Sequence, residues 1–91
     1  MKREEILEKA DRLINGDREE EYGDPYESFQ HIADMWTVYL QHKVTPVNVA
    51  TMMVLLKTCR SMNSPDHTDS YVDMAGYAAL AGEMGTSQSD G

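Results

Sequence analysis

Apolar side chains recur at helical spacing through most of the chain. Between Glu4 and Asn15, residues Ile6, Leu7, Ala10, Leu13 and Ile14 fall on one face of a helix, and Gly16 stands where a C-terminal cap would. Asp24-Pro25 pairs a capping side chain with a residue pre-set for the first helical position. From there Phe29, Ile32, Ala33, Trp36, Tyr39 and Leu40 make a second stripe that runs to about Gln41. Thr45-Pro46 repeats the start signal, and Val49, Met52, Met53, Leu56 and Arg60 line one side of a third helix to about Met62. Ser64-Pro65 repeats it again, opening a fourth helix from about Asp66 to Glu83 that packs through Val72, Ala75, Gly76, Ala79 and Leu80. No segment alternates with period two, so no strand is predicted.

The expected fold is therefore all-α: a small antiparallel four-helix bundle with short connections, formed by residues 1–84, followed by a polar tail, 85–91, expected to be disordered. Between the first two helices, Asp17, Arg18, three glutamates, Tyr22, Gly23 and Asp24 lack periodicity and read as a charged loop.

At 91 residues there is room for one core. A chain this short buries only about 60% of its unfolded surface, which makes completion of the bundle by a homo-oligomer the natural remedy. The net charge of -8 excludes a surface for duplex nucleic acid, which needs clustered Lys and Arg. Cys59 is the only cysteine, so no intrachain disulfide forms and a cysteine-based zinc site lacks ligands. The N-terminus is charged where a signal peptide would be apolar, and no run approaches the roughly 20 apolar residues of a membrane span, so no membrane partner is expected and the protein is placed in the cytoplasm.

Helical projection then separates ordinary surface charge from charge on packing faces. On helix two, Glu27, His31 and Asp34 share the stripe opposite Phe29, Ile32 and Trp36, a solvated face unless the helix is covered on both sides. On helix three, Arg60 projects into the stripe of Val49, Met53 and Leu56, with Lys57 at its border. On helix four, Asp69 and Asp73 stack one turn apart on a face that also carries Gly76, Tyr77 and Leu80. Two like charges at that spacing repel unless something positive lies beside them.

Two arrangements would satisfy the aspartates. Arg60 and Lys57 could pair with them and only hold helices in register. Alternatively Asp69 and Asp73 ligate Mg²⁺, a hard cation that takes one or two carboxylates and binds substrate phosphates, while Lys57 and Arg60 contact phosphate oxygens. In the loop, Arg18 and Tyr22 are further ligand candidates, as is Tyr77 on helix four, since an aromatic ring can stack on a base. Cys59 reads as a small buried apolar residue and the methionines as core filler or interface.

The run Gly16-Asp17-Arg18, Tyr22-Gly23-Asp24-Pro25, Phe29, Ile32-Ala33, Trp36, then Leu55-Leu56-Lys57, Arg60, Asp69, Asp73 and Gly76-Tyr77-Ala78-Ala79-Leu80 resembles a small helical domain family of tailed phages and prophages. That resemblance covers nearly the whole chain and carries no established activity. A more distant similarity is to MazG-like all-α nucleoside triphosphate pyrophosphohydrolases, helical oligomers that bind Mg²⁺ through a Glu-x-x-Glu pair and a later Glu-x-x-Asp pair. It implies a metal-dependent nucleotide-binding protein or pyrophosphohydrolase in which Asp69, Asp73 and Glu27 serve catalysis and, with Asp34, hold the metal. The last pair here stands at a spacing of four, and no Glu-x-x-Glu occurs among Glu27, His31 and Asp34. The alternative is a non-enzymatic phage protein whose acidic surface, including Glu19, Glu20 and Glu21, engages a host protein.

Overall fold

The computed structural model describes residues 1–17 and 24–87, and every regular element in them is helical. Helix α1 spans Arg3–Arg12 and runs into a π-helical turn, Leu13–Asp17. Helix α2 covers Pro25–Leu40, α3 Pro46–Asn63 and α4 Thr68–Thr86. The expected all-α class and all four helices are present.

Local capping sets two of the starts. The Asp24 carboxylate accepts the Tyr26 N–H at 3.0 Å, with Pro25 at the first helical position. At α3, Thr45 Oγ1 accepts the Asn48 N–H at 3.1 Å while Asn48 Oδ1 accepts the Thr45 N–H at 3.0 Å, a reciprocal capping box. Between them the chain turns through Gln41, whose φ of 54° is left-handed. Thr37 Oγ1 closes that turn, accepting the Val44 N–H at 2.8 Å and donating to the Val44 carbonyl at 3.2 Å.

The third start differs from expectation. Ser64 ends α3, donating its N–H to the Arg60 carbonyl, and α4 begins after His67 without a side-chain cap. A serine-proline pair can stop one helix as readily as start the next, because proline is also favoured just past a C-terminus. Tyr71 supports the turn by donating its hydroxyl to the Pro65 carbonyl at 2.7 Å. Gly16 is likewise not a cap: the helical path passes through it as the π turn. At the other end α4 runs past Met84 to Thr86, and the rest of the expected tail, from residue 88, lies outside the described residues.

Helices α3 and α4 pack most extensively, as an antiparallel hairpin, with α1 laid on α4 and α2 on α3. The core gathers Phe29, Ala33, Val44, Val49, Ala50 and Leu80, edged by Ile14, Ile32, Trp36 and Tyr77. Several expected core positions are outside it, among them Ala79 on α4, which is exposed. Tyr39 and Leu40, in the last turn of α2, are exposed, and so is Leu7 on α1.

Helix α3 is turned relative to its projected face. Val49 is buried and Met53 half-buried as expected, but Met52, Leu56 and Arg60 are exposed, and Ala50, Val54 and Lys57 take the inward positions. Cys59 is exposed as well, not a buried apolar residue. No helix among the described residues is long and apolar enough to cross a membrane.

Candidate functional site

The turn of α3 brings Lys57 against α4. Its Nζ lies 2.9 Å from Asp73 Oδ2, and the two side chains are 15% and 25% exposed. Of the two cations expected beside the aspartates, Lys57 is thus the inward one, and Arg60 stays in solvent. The aspartates divide in the same way. Asp73 is half-buried, while Asp69, one turn earlier, is exposed.

Asp73 sits where three concavities meet. One is a cavity of about 310 Å³ between the π turn, α2, α3 and α4, lined by Leu13, Ile14, Pro25, Phe29, Ile32, Met53, Gly76, Tyr77 and Leu80, with Ser28 and Asp73 as its polar members. The Phe29 and Tyr77 rings stand 6.1 Å apart between centroids and tilted at 41°. A second hollow, toward α1, is lined by Lys9, Arg12, Asp69 and Asp73. The third, toward the α3–α4 turn, is lined by Lys57, Arg60, Ser64, His67, Asp69 and Asp73.

The π turn shapes the apolar cavity. Adding one residue to a helical turn shifts the side chains that follow. Here Ile14 is brought so close to α4 that a Cβ at Gly76 would lie 3.2 Å from its Cγ2, so the missing side chain at Gly76 permits the approach.

The expected ligand set is not assembled by one chain. Among the described residues no three of His, Cys, Asp or Glu gather as a possible metal group. Glu27 and Asp34 are exposed on α2, Asp34 accepting a hydrogen bond from Gln30 at 2.9 Å, and they form no such group with Asp69 and Asp73. Arg18 and Tyr22, and the acidic run Glu19–Glu21, lie outside the described residues. Tyr77 does line the cavity. Lys9 and Arg12 were missed by sequence reasoning; the signal was present as two basic residues three apart in the last turn of α1, on the side that meets α4.

A family model described as a domain of unknown function, DUF6378, matches residues 5–85. The "Gene 55 protein" of Mycobacterium phage D29 is 45% identical over 75 residues, covering 82% of this chain and 50% of the relative. The "Gene 55 protein" of Mycobacterium phage L5 is 44% identical over 80 residues, covering 87% of this chain and 51% of the relative. The chain thus spans about half the length of the curated relatives it matches. No solved structure matches.

Proposed function

The chain belongs to the DUF6378 family, with relatives among mycobacteriophage proteins, and on that premise we propose that it binds a phosphorylated small molecule of the nucleotide class around Asp73. The observation that carries this reading is that one half-buried carboxylate borders both an apolar, aromatic cavity and two cation-lined hollows. A base has an apolar face and polar edges, and its phosphates are anionic; the two kinds of surface lie side by side in the way such a ligand requires. The cavity volume falls in the range of small-molecule sites, which are mostly apolar with a few placed polar groups. Tyr77 and Phe29 offer ring faces and edges to a base. Asp73 offers carboxylate oxygens that can accept hydrogen bonds at the cavity edge, and Arg60 and Arg12 are exposed guanidinium groups suited to bidentate contact with phosphate.

Hydrolysis of the MazG-like kind asks for more acidic ligands than the described residues gather at this site. A catalytic Mg²⁺ held by four acidic side chains does not fit one chain, because Glu27 and Asp34 stand apart and Asp73 is already engaged by Lys57. The proposal is therefore binding, with no turnover assigned.

Calorimetry with nucleoside mono-, di- and triphosphates and with pyrophosphate, each with and without Mg²⁺, tests it. Binding of a nucleotide is expected, weakened about tenfold by Arg60→Ala, a loss of about 1.4 kcal/mol. Tyr77→Leu should weaken nucleotides and leave pyrophosphate unchanged. No heat from any of these ligands with folded wild-type protein overturns the reading.

A further inference from the structure

Among the described residues Ser70 is the one polar side chain that the fold buries, 2% exposed, on the first turn of α4. Its backbone N–H meets the His67 carbonyl at 3.2 Å, but its hydroxyl has no hydrogen-bond partner among the described residues. No fully enclosed side-chain oxygen there lacks a partner, so the sliver of surface that Ser70 keeps includes Oγ. It opens on the hollow toward the α3–α4 turn, which Ser70 lines. A buried hydroxyl without a partner costs stability that an alanine in the same place would not. Packing alone does not account for a serine here. A ligand that accepts does, because the neighbours of Ser70 in this hollow are donors: Lys57 and Arg60 donate only, and Asn63, Ser64 and His67 each bring an N–H or O–H.

We infer that this hollow is the subsite for a phosphoryl group, with the Ser70 hydroxyl as its innermost donor and the exposed Arg60 as its outer clamp. The assignment rests on the nucleotide reading for the molecule that carries the group, since the aromatic cavity for a base borders the same Asp73. Charge alone does not choose between the two cation-lined hollows, because each sets two basic residues against the same carboxylates, Asp69 and Asp73. Neutral donors choose. The hollow toward α1 is completed by Leu13 and Val72, whose side chains donate nothing. A phosphoryl group presents three oxygens and is held by several short, charge-assisted hydrogen bonds, so it goes where hydroxyl, amide and imidazole groups join the cations. Asp73 does not oppose it there with a full charge, since Lys57 Nζ lies 2.9 Å away and keeps further N–H donors. Asp69 is exposed, where water and salt screen it. The start of α4 adds first-turn amides that no side chain caps. The rim is fixed by the chain itself: the Ser64 N–H donates to the Arg60 carbonyl at 2.9 Å, the His67 N–H to the Ser64 carbonyl at 3.0 Å and the Tyr71 hydroxyl to the Pro65 carbonyl at 2.7 Å.

Backbone amide NMR on the full chain, titrated with pyrophosphate, a nucleoside triphosphate and the bare nucleoside, locates the group. The two phosphorylated ligands should move the amides of Asn63, Ser64 and residues 67–70 most, and the nucleoside should leave them in place. Ser70→Ala should weaken both phosphorylated ligands about tenfold or more, the weight of a hydrogen bond to a charged group. The denaturation midpoint of the free variant should stay level or rise, because an unpaired hydroxyl has gone. Ser70→Cys keeps the bulk and a poorer donor, and should lose affinity as well. A nucleotide that binds Ser70→Ala with unchanged affinity, or that moves the amides of residues 9–13 most, overturns the subsite and leaves the nucleotide reading standing. Pyrophosphate binding that depends on Ser70, with nucleotides held no tighter and indifferent to Tyr77→Leu, keeps the subsite and sinks that reading. A free Ser70→Ala chain that loses stability shows a hydroxyl already satisfied by the fold or by water, and overturns the inference too. Absence of binding by every phosphorylated ligand overturns both.

Discussion

Replacing Lys57 by methionine keeps the stem that crosses α4 and removes the ammonium group 2.9 Å from Asp73. Two unit charges at that separation in an effective dielectric of about 20 attract by roughly 6 kcal/mol. Holding a lysine in one rotamer costs up to about 2 kcal/mol, and drawing both heads partly out of water takes several more. The net contribution sits between the roughly 1 kcal/mol ceiling of an exposed pair and the roughly 3–5 kcal/mol lost when one partner of a buried pair is removed. With side chains 15% and 25% exposed, Asp73 left alone can still reach water, so Lys57→Met should cost about 1–2 kcal/mol. Asp73→Asn should cost less, since a lysine can swing outward. The double variant should then show a coupling of about 1 kcal/mol in a double-mutant cycle. Denaturant unfolding followed by circular dichroism measures it, with Tm falling by about 4–8 °C per kcal/mol in a chain of this size. Lys43→Met makes the same change of net charge on an exposed side chain, and should stay within about 0.5 kcal/mol of wild type. A coupling below about 0.3 kcal/mol would mean that the ion pair holds nothing and that Lys57 is free for other work.

Other substitutions probe the scaffold around the site. Phe29→Ala empties the buried centre of the core beside Tyr77 and should cost about 3–4 kcal/mol in denaturant unfolding, with nucleotide binding weakened as well. Thr37→Val removes the hydroxyl that accepts the buried Val44 N–H and should cost about 1–3 kcal/mol; a neutral result would show that water replaces it. Gln41→Gly acts in the opposite direction, relieving a left-handed backbone of its side chain and raising stability by up to about 1 kcal/mol, read as a higher midpoint. Asp24→Ala removes the α2 cap and should lower stability by about 1 kcal/mol.

What could be read from the chain before folding was whatever depends on neighbours within a turn or two. The caps at Asp24 and Thr45 are closed by amides two and three residues away, so the starts of α2 and α3 follow from local chemistry. Ser64-Pro65 carries a similar local signature with two outcomes, and the turn into α4, where Tyr71 meets the Pro65 carbonyl, fits the stop and not the start. Of the candidate site, the stacking of Asp69 and Asp73 on α4 was legible, because a helix fixes which of its own residues share a face. Lys9 and Arg12 were legible only as a basic pair in the last turn of α1; that they reach the site follows from the packing of α1 on α4, which no local pattern encodes.

The sequence by itself determined that there are four helices, which residues begin two of them, and that something positive, a metal ion or a basic side chain, was needed beside Asp69 and Asp73. The tertiary structure decided which one. Apolar side chains occur on most sides of α3, so hydrophobicity alone fixes its rotation weakly, and the projection turned Arg60 and Leu56 inward with Lys57 only at the border. Packing against α4 broke that degeneracy: small and branched residues at Ala50 and Val54 face the hairpin partner, Lys57 follows them one turn on, and the larger Leu55 and Met62 are left on the opposite side. The same rotation that seated Lys57 on Asp73 left Met52, Leu55 and Met62 exposed on the opposite side of α3, because a helix can turn only one of its faces to its hairpin partner.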